Sequence, residues 1–208
     1  MTNQNQMVRD LLKWWQKSNP DFHETIIDSE NGQTLLHLAS EVGYFEIVEE
    51  LISMGADTNI QDFESYTPLH NCRDTDTMRI LLENGANVNH RCDGNSTPLH
   101  KALWSPKIVS LLLDYGPDLN IQEEMFGTPI HQALLFESNT MPKKLVENVV
   151  TLMLEKGRNI DFNLECDGET ILEVAKNKGF EKIVRIILKK MCPNPKISDS
   201  IYPLKMLL

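Results

Sequence analysis

The 208-residue chain is predicted to fold as an all-α solenoid, a row of helix–turn–helix units and not one globular core. Three observations predict it. One tetrapeptide recurs five times: Thr34-Leu35-Leu36-His37, Thr67-Pro68-Leu69-His70, Thr97-Pro98-Leu99-His100, Thr128-Pro129-Ile130-His131 and Thr170-Ile171-Leu172-Glu173. Its threonines lie 33, 30, 31 and 42 residues apart, a near-fixed period that marks stacked supersecondary units. The first four copies are each followed by a second apolar stretch and a closing glycine, at Gly55, Gly85, Gly116 and Gly157.

The elements follow in order. Met7 to Lys17 reads as an amphipathic helix, with Met7, Val8, Leu11, Leu12, Trp14 and Trp15 at helical spacing and Pro20 as its stop. Trp14 and Trp15 are expected to cover the open apolar end of the first unit, because terminal repeats need a cap; contact with a partner is the alternative. In the first unit Asn31-Gly32 is a turn pair. Thr34 then opens a helix over Leu35–Glu41, Gly43 ends it, and a second helix over Phe45–Ser53 carries Ile47, Val48, Leu51 and Ile52 on one side. Gly55 suits a left-handed stop. From the motif histidine to the closing glycine the first four units span 18, 15, 16 and 26 residues. The second and third are therefore expected to have lost residues around the turn between their helices, at Cys72–Thr77 and Leu103–Lys107. The fourth carries a polar insertion, Glu137–Lys144, with Pro142 as a breaker. Such an insertion is either part of a binding face or a tolerated surface excursion. The last unit has Glu173 where the others have histidine, and its second helix is expected over Phe180–Lys190. Pro193 and Pro195 then break the chain before an apolar tail, Ile201–Leu208, which either folds back as a cap or serves as a linear motif. The resulting domain plan is a helical cap over residues 1–30, five units at about 31–63, 64–93, 94–124, 125–166 and 167–191, and a tail over 192–208.

The run Gly32-x-Thr34-x-Leu36-His37-Leu38-Ala39, then Gly43-Tyr44-Phe45-Glu46-Ile47-Val48, then Leu51-x-x-x-Gly55-Ala56-Asp57-x-Asn59 resembles the ankyrin repeat almost position for position. The resemblance recurs at Leu81–Asn89 and Leu112–Asn120 and covers about Gly32 to Met191. It implies an ankyrin-repeat solenoid whose threonine caps the first helix, whose proline sits where a missing N–H costs nothing, and whose histidine is a buried hydrogen-bonder tied to a neighbouring loop. His37, His70, His100 and His131 are therefore read as structural and not as a metal cluster. They belong to separate units stacked about 8–10 Å apart, whereas one zinc ion holds nitrogens at about 2 Å. The clipped units resemble the reduced ankyrin proteins that viruses and intracellular bacteria direct into host cells. The overall plan also resembles the ankyrin inhibitors that mask the basic segment of Rel-type transcription factors, although no paired-serine degron follows Asp28-Ser29-Glu30.

Composition narrows the function. A net charge of −10 argues against nucleic acid, whose phosphates need Lys and Arg. From Thr170 onward eight basic residues face three acidic ones, so an acidic body has a basic end. That pattern fits a basic protein partner and equally fits plain solubility. Cys72, Cys92, Cys166 and Cys192 form no Cys-x-x-Cys pair, which fits reduced thiols in the cytoplasm or nucleus. The polar start, Met1–Gln6, is unlike a signal peptide, and no apolar run is long enough to span a bilayer. No phosphate loop, Gly-x-Ser-x-Gly or His-Glu-x-x-His stands in the chain. The expectation is no enzyme activity, no cofactor, no metal, no membrane and no small-molecule substrate.

The resemblance places the binding face on the concave side of the stack, formed by the hairpin tips and the exposed side of the first helices. The positions counted from each motif threonine give Phe63, Glu64, Tyr66, Asp93, Trp104, Glu124, Met125, Leu135 and Phe136 as candidate partner-binding residues. Aromatic and methionine anchors inside a charged rim are the composition of a protein hot spot; the inward alternative for Trp104, Leu135 and Phe136 is that shortened, rotated helices bury them. The expected function is protein binding by an inhibitor or decoy. The alternative is an adaptor that grips one partner with the repeats and another with the tail, for example a ubiquitin ligase.

Overall fold

A computed structural model describes residues 10–14, 17–19, 24–136 and 141–192. Within them five helix pairs follow one another: α1 (Leu35–Val42) with α2 (Phe45–Ser53), α3 (Pro68–Asn71) with α4 (Thr75–Glu83), α5 (Pro98–Lys101) with α6 (Pro106–Asp114), α7 (Pro129–Leu135) with α8 (Lys143–Lys156), and α9 (Ile171–Asn177) with α10 (Glu181–Met191). First helices stack on first helices, α1 through α9, and second helices on second helices, α2 through α10. The core lies between the two rows as one continuous cluster running from Leu12 to Ile187. This is the solenoid solution: each unit buries its apolar face only against its neighbours.

The chain direction fixes where everything else goes. Each first helix leaves a hairpin and each second helix returns to the next one. All hairpins therefore gather at one end of the helix pairs and all inter-helix turns at the other. The first hairpin pairs β1 (Ile26–Asp28) with β2 (Gln33–Thr34), and the last pairs β3 (Glu165–Cys166) with β4 (Glu169–Thr170). Asp167 and Gly168, at φ of 53° and 78°, close the last one, since two successive positive φ values make the turn that follows strand twist. A bridge between Glu123 and Gly127 marks the fourth hairpin.

Helix boundaries in the first unit follow the sequence closely: α1 runs one residue past the expected end to Gly43, at φ of 83°, and α2 covers the expected Phe45–Ser53. The residues missing from units two and three fall between the motif histidine and the start of the second helix, around the turn that joins the helices. The second helices α4 and α6 keep nine residues each, like α2, while α3 and α5 shrink to four, against eight in α1. Strong caps explain it. The Asp74 carboxylate accepts from the Asp76 amide at 3.1 Å, the Thr77 amide at 2.8 Å and the Thr77 hydroxyl at 3.0 Å, so α4 starts at once after Cys72-Arg73. Ser105 with Pro106 behind it does the same for α6. The core demands full second helices, which carry Met78, Leu81, Ile108, Val109 and Leu112, so the first helices absorb the deletion.

Three expectations change in their bounds or contacts. Pro142 stands between α7 and α8, immediately before α8, but the loop ends before Lys144: Lys143 and Lys144 are helical and Met141 is buried, while residues 137–140 of the insertion lie outside the described part. Trp14 does not cap the first unit. Residues 10–14 and 17–18 are helical, and Lys13 reaches Glu50 of α2 at 3.4 Å, but Leu12 is the side chain in the core and Trp14 is 68% exposed. Trp15 and the tail from residue 193 lie outside the described residues. The last helix starts at Glu181, with Phe180 before it.

Asp74→Ala removes three bonds at one helix start, and it should lower the unfolding free energy by about 1–2 kcal/mol in urea titrations followed by circular dichroism. A loss below about 0.3 kcal/mol would show that the cap does not set the start of α4.

Candidate functional site: the hairpin ridge

The ridge begins with what holds it. The Thr34 amide donates to His37 Nδ1 at 3.2 Å, and the Thr34 hydroxyl lies 3.0 Å from the same nitrogen. An accepting Nδ1 puts the ring proton on Nε2, which donates to the Tyr66 carbonyl of the next hairpin at 3.0 Å. His70 repeats this with Thr67 and the Ser96 carbonyl at 3.3 Å, and His100 with Thr97 and the Gly127 carbonyl at 3.2 Å. Each carbonyl belongs to the residue just before the next motif threonine. His131 keeps the Thr128 hydroxyl at 2.8 Å. Its Nε2 is electrostatically influenced by the Glu169 carbonyl but falls outside hydrogen-bond geometry, so we count this joint as the weakest. In the last unit Glu173 takes the Thr170 amide and hydroxyl, both at 2.8 Å.

A second set of ties runs through the asparagines. Asn59 donates to the Gly85 carbonyl at 3.0 Å and accepts from the Asn87 amide at 2.7 Å. Asn89 accepts from the Asp118 amide at 2.7 Å, and Asn120 bonds Asn159 and Asp161, both at 2.8 Å. The hairpin tips themselves are then joined backbone to backbone. The Phe63 amide donates to Asn31 O at 2.9 Å, Asp93 to Glu64 O at 3.0 Å and Glu124 to Gly94 O at 3.1 Å; the Gln122 side chain reaches Glu165 O at 2.8 Å. The tips form one continuous, fixed edge.

That edge is anionic. The five tip segments, residues 28–33, 62–66, 92–96, 122–127 and 165–169, contain ten Asp or Glu and no Lys or Arg. Glu30, Glu64, Asp93, Glu124, Glu165 and Asp167 are exposed. Large apolar groups stand among them. Phe63 is 62% exposed, Met125 72% and Phe126 39%. Phe63 lies over the preceding tip, where a Cβ on Gly32 would collide with its ring, so glycine is needed there for more than its positive φ of 76°. Tyr66 is half-buried beside them, edge-on to His70 at 5.5 Å and with Lys101 Nζ 4.9 Å from its ring centre. Burial raises its phenol above the ordinary value, and Lys101 opposes that.

Of the residues expected from sequence, Phe63, Glu64, Tyr66, Asp93, Glu124 and Met125 are brought together on this ridge. Trp104, Leu135 and Phe136 are not. Trp104 is 47% exposed but lies in the turn between α5 and α6, at the far end of the helix pair, because α5 ends at Lys101. Leu135 and Phe136 pack half-buried against the core at the end of α7. Phe126 was missed because the position two before the motif threonine was not counted as exposed; an aromatic there, next to Met125 in a polar tip, was the available signal.

The buried thiols are chemically quiet. Burial pushes Cys72 up to about 12 and raises Cys92 as well, and a protonated thiol is a poor nucleophile. Among the described residues no three His, Cys, Asp or Glu side chains stand together as a metal site.

Comparison with known proteins gives a consistent picture. A family model of ankyrin repeats matches residues 1–92 and 64–123 in three copies. An ankyrin repeat protein of fowlpox virus (strain NVSL), FPV031, is 32% identical over 198 residues, covering 86% of this chain and 55% of that protein. The human BCL-6 corepressor-like protein 1 is 32% identical over 139 residues, 64% of this chain and 8% of its own. The chicken nuclear factor NF-kappa-B p105 subunit is 28% identical over 191 residues, 86% of this chain and 19% of its own. The chain thus spans about half or less of the length of these relatives.

The histidine fasteners make stability depend on pH. Burial lowers all four ring pKa values from 6.5, His70 to about 3 and His100 to about 4. Because the folded values lie below the unfolded one, the contribution is complete above pH 6.5 and is lost as pH falls from there toward 3–4. The unfolding free energy should therefore drop steeply between pH 6.5 and 4.5, and His100→Gln should make that slope shallower by about 1 kcal/mol per pH unit. Equal slopes in urea titrations of the two proteins would contradict the neutral, two-armed histidine.

Proposed function

The chain belongs to the ankyrin-repeat family, and we propose that it is a non-enzymatic binding module that takes a basic protein segment along its hairpin ridge. Ankyrin repeats are protein-interaction repeats, and the comparisons support that coarser role. The single observation that carries the finer one is the composition of the five joined tip segments, ten Asp or Glu and no Lys or Arg, against the Lys101 that reaches Tyr66 from α5. Complementary potential steers a cationic partner and rejects anionic ones, and Phe63, Met125 and Phe126 supply the apolar contacts that carry affinity. The tips are already tied to one another, so little ordering entropy is lost when a partner binds. In this reading the protein acts by occupancy: it covers a basic surface that another molecule needs, as an inhibitor or decoy does. The free thiols of Cys72, Cys92, Cys166 and Cys192 suit the reducing cytoplasm or nucleus as the place of that encounter.

The test is a charge reversal, Glu64→Lys with Asp93→Lys and Glu124→Lys, on the partner recovered by affinity capture. Binding should weaken by tenfold or more and lose most of its salt dependence, with the melting temperature held within about 3 °C of the parent, since surface substitutions change stability little. Unchanged affinity in a folded variant would place the partner on another face.

A further inference from the structure

The ridge carries a register as well as a sign. Phe63 stands four residues before its motif threonine, and Glu124, Met125 and Phe126 stand four, three and two before theirs. They occupy equivalent tips two units apart, linked through the intervening tip by the amide of Asp93 on Glu64 O at 3.0 Å and the amide of Glu124 on Gly94 O at 3.1 Å. The intervening tip, Asp93-Gly94-Asn95, offers no apolar side chain. Two steps of stacked helices, each about 8–10 Å, put about 16–20 Å between the Phe63 position and the Met125–Phe126 position. An extended chain advances about 3.3 Å per residue, so five or six residues cover the distance.

Between the two apolar points the ridge presents Glu64, Asp93, Glu123 and Glu124. Asp93 accepts the Ser65 hydroxyl at 2.9 Å and Glu123 the Phe126 amide at 2.7 Å; these bonds orient the carboxylates without neutralising them. Glu64 and Glu124 are exposed.

We propose that the partner segment is an extended strand with two apolar anchors five or six residues apart and Lys or Arg between them, one anchor resting on Phe63 and the other on Met125 and Phe126. This rests on the ridge being the binding face, and it adds the conformation and spacing of what binds. A helical segment, at 1.5 Å per residue, would need its two anchors about eleven to thirteen residues apart to reach the same two points, so the anchor spacing separates the two forms.

The experiment uses fluorescein-labelled synthetic peptides of Lys and Arg carrying two leucines, with the leucine spacing varied from three to nine residues, and a leucine-free control of equal charge. Fluorescence anisotropy with the whole chain reads the dissociation constant. Affinity should peak at a spacing of five or six and exceed that at three by about tenfold. Phe63→Ala should abolish the peak while leaving the leucine-free control within twofold, a readout that a folding defect would not produce. Peptides that bind equally at every spacing, and lose tenfold on the ridge charge reversal, overturn the register while leaving the ridge as the binding face. Peptides that bind the parent and the charge-reversed variant alike overturn both.

Discussion

The geometry of the hairpin edge depends on a histidine with two arms, repeated at His37, His70 and His100. Nδ1 holds the start of its own helix through the motif threonine, and Nε2 holds the backbone of the next hairpin, as His37 does between Thr34 and the Tyr66 carbonyl. A buried polar ring is costly unless both nitrogens are satisfied, and here satisfaction is possible only if the next unit is correctly placed. Local helix initiation and unit stacking are therefore one interaction. The last unit shows the same logic in reverse. Glu173 caps its own threonine amide as well as a histidine would, but a carboxylate has only acceptors and could not donate to a further hairpin carbonyl.

The rigidity built this way is what gives the ridge its value as a surface. Histidines fix the hairpins from below, asparagines tie their bases, and backbone amides join their tips. Acidic groups that repel one another along an edge would tend to splay it; the joined tips hold them at a fixed spacing instead. The energy that assembles the stack is apolar burial between the two helix rows, and the polar ties decide the geometry of the edge.

Much of the fold was legible in the sequence because the ankyrin pattern is local. Thr-Pro-Leu-His states a cap, a first helical residue, a core residue and a tie, and α2 and Gly43 fell where the pattern put them. What was not legible was that the first helices, and not the second, give up the residues at the turn between them. A count of residues between His70 and Gly85 gives the deletion but not which helix shortens; that follows from Asp74 capping α4 with three bonds, which outweighs the propensity of α3 to continue. The misplacement of Trp104 has the same origin, since a fixed offset from the threonine assumes a full first helix. Leu135 and Phe136 end a first helix of nearly full length and still pack half-buried against the core, which an offset counted from the threonine does not show. Tip positions such as Phe63, Glu64 and Met125 were read correctly as tips because they precede the threonine, on the side of the motif where no residues are lost.

The central claim is that the joined hairpin tips, and not the inter-helix turns or the basic last unit, meet the partner. Hydrogen–deuterium exchange of the whole chain, with and without a bound partner, reads this most directly. The account predicts slowed exchange concentrated in residues 60–66, 92–96 and 122–127, with the turn around Trp104 and helix α10 unchanged. Protection centred on Trp104 or on α10, with the tips exchanging as in the free protein, would contradict it.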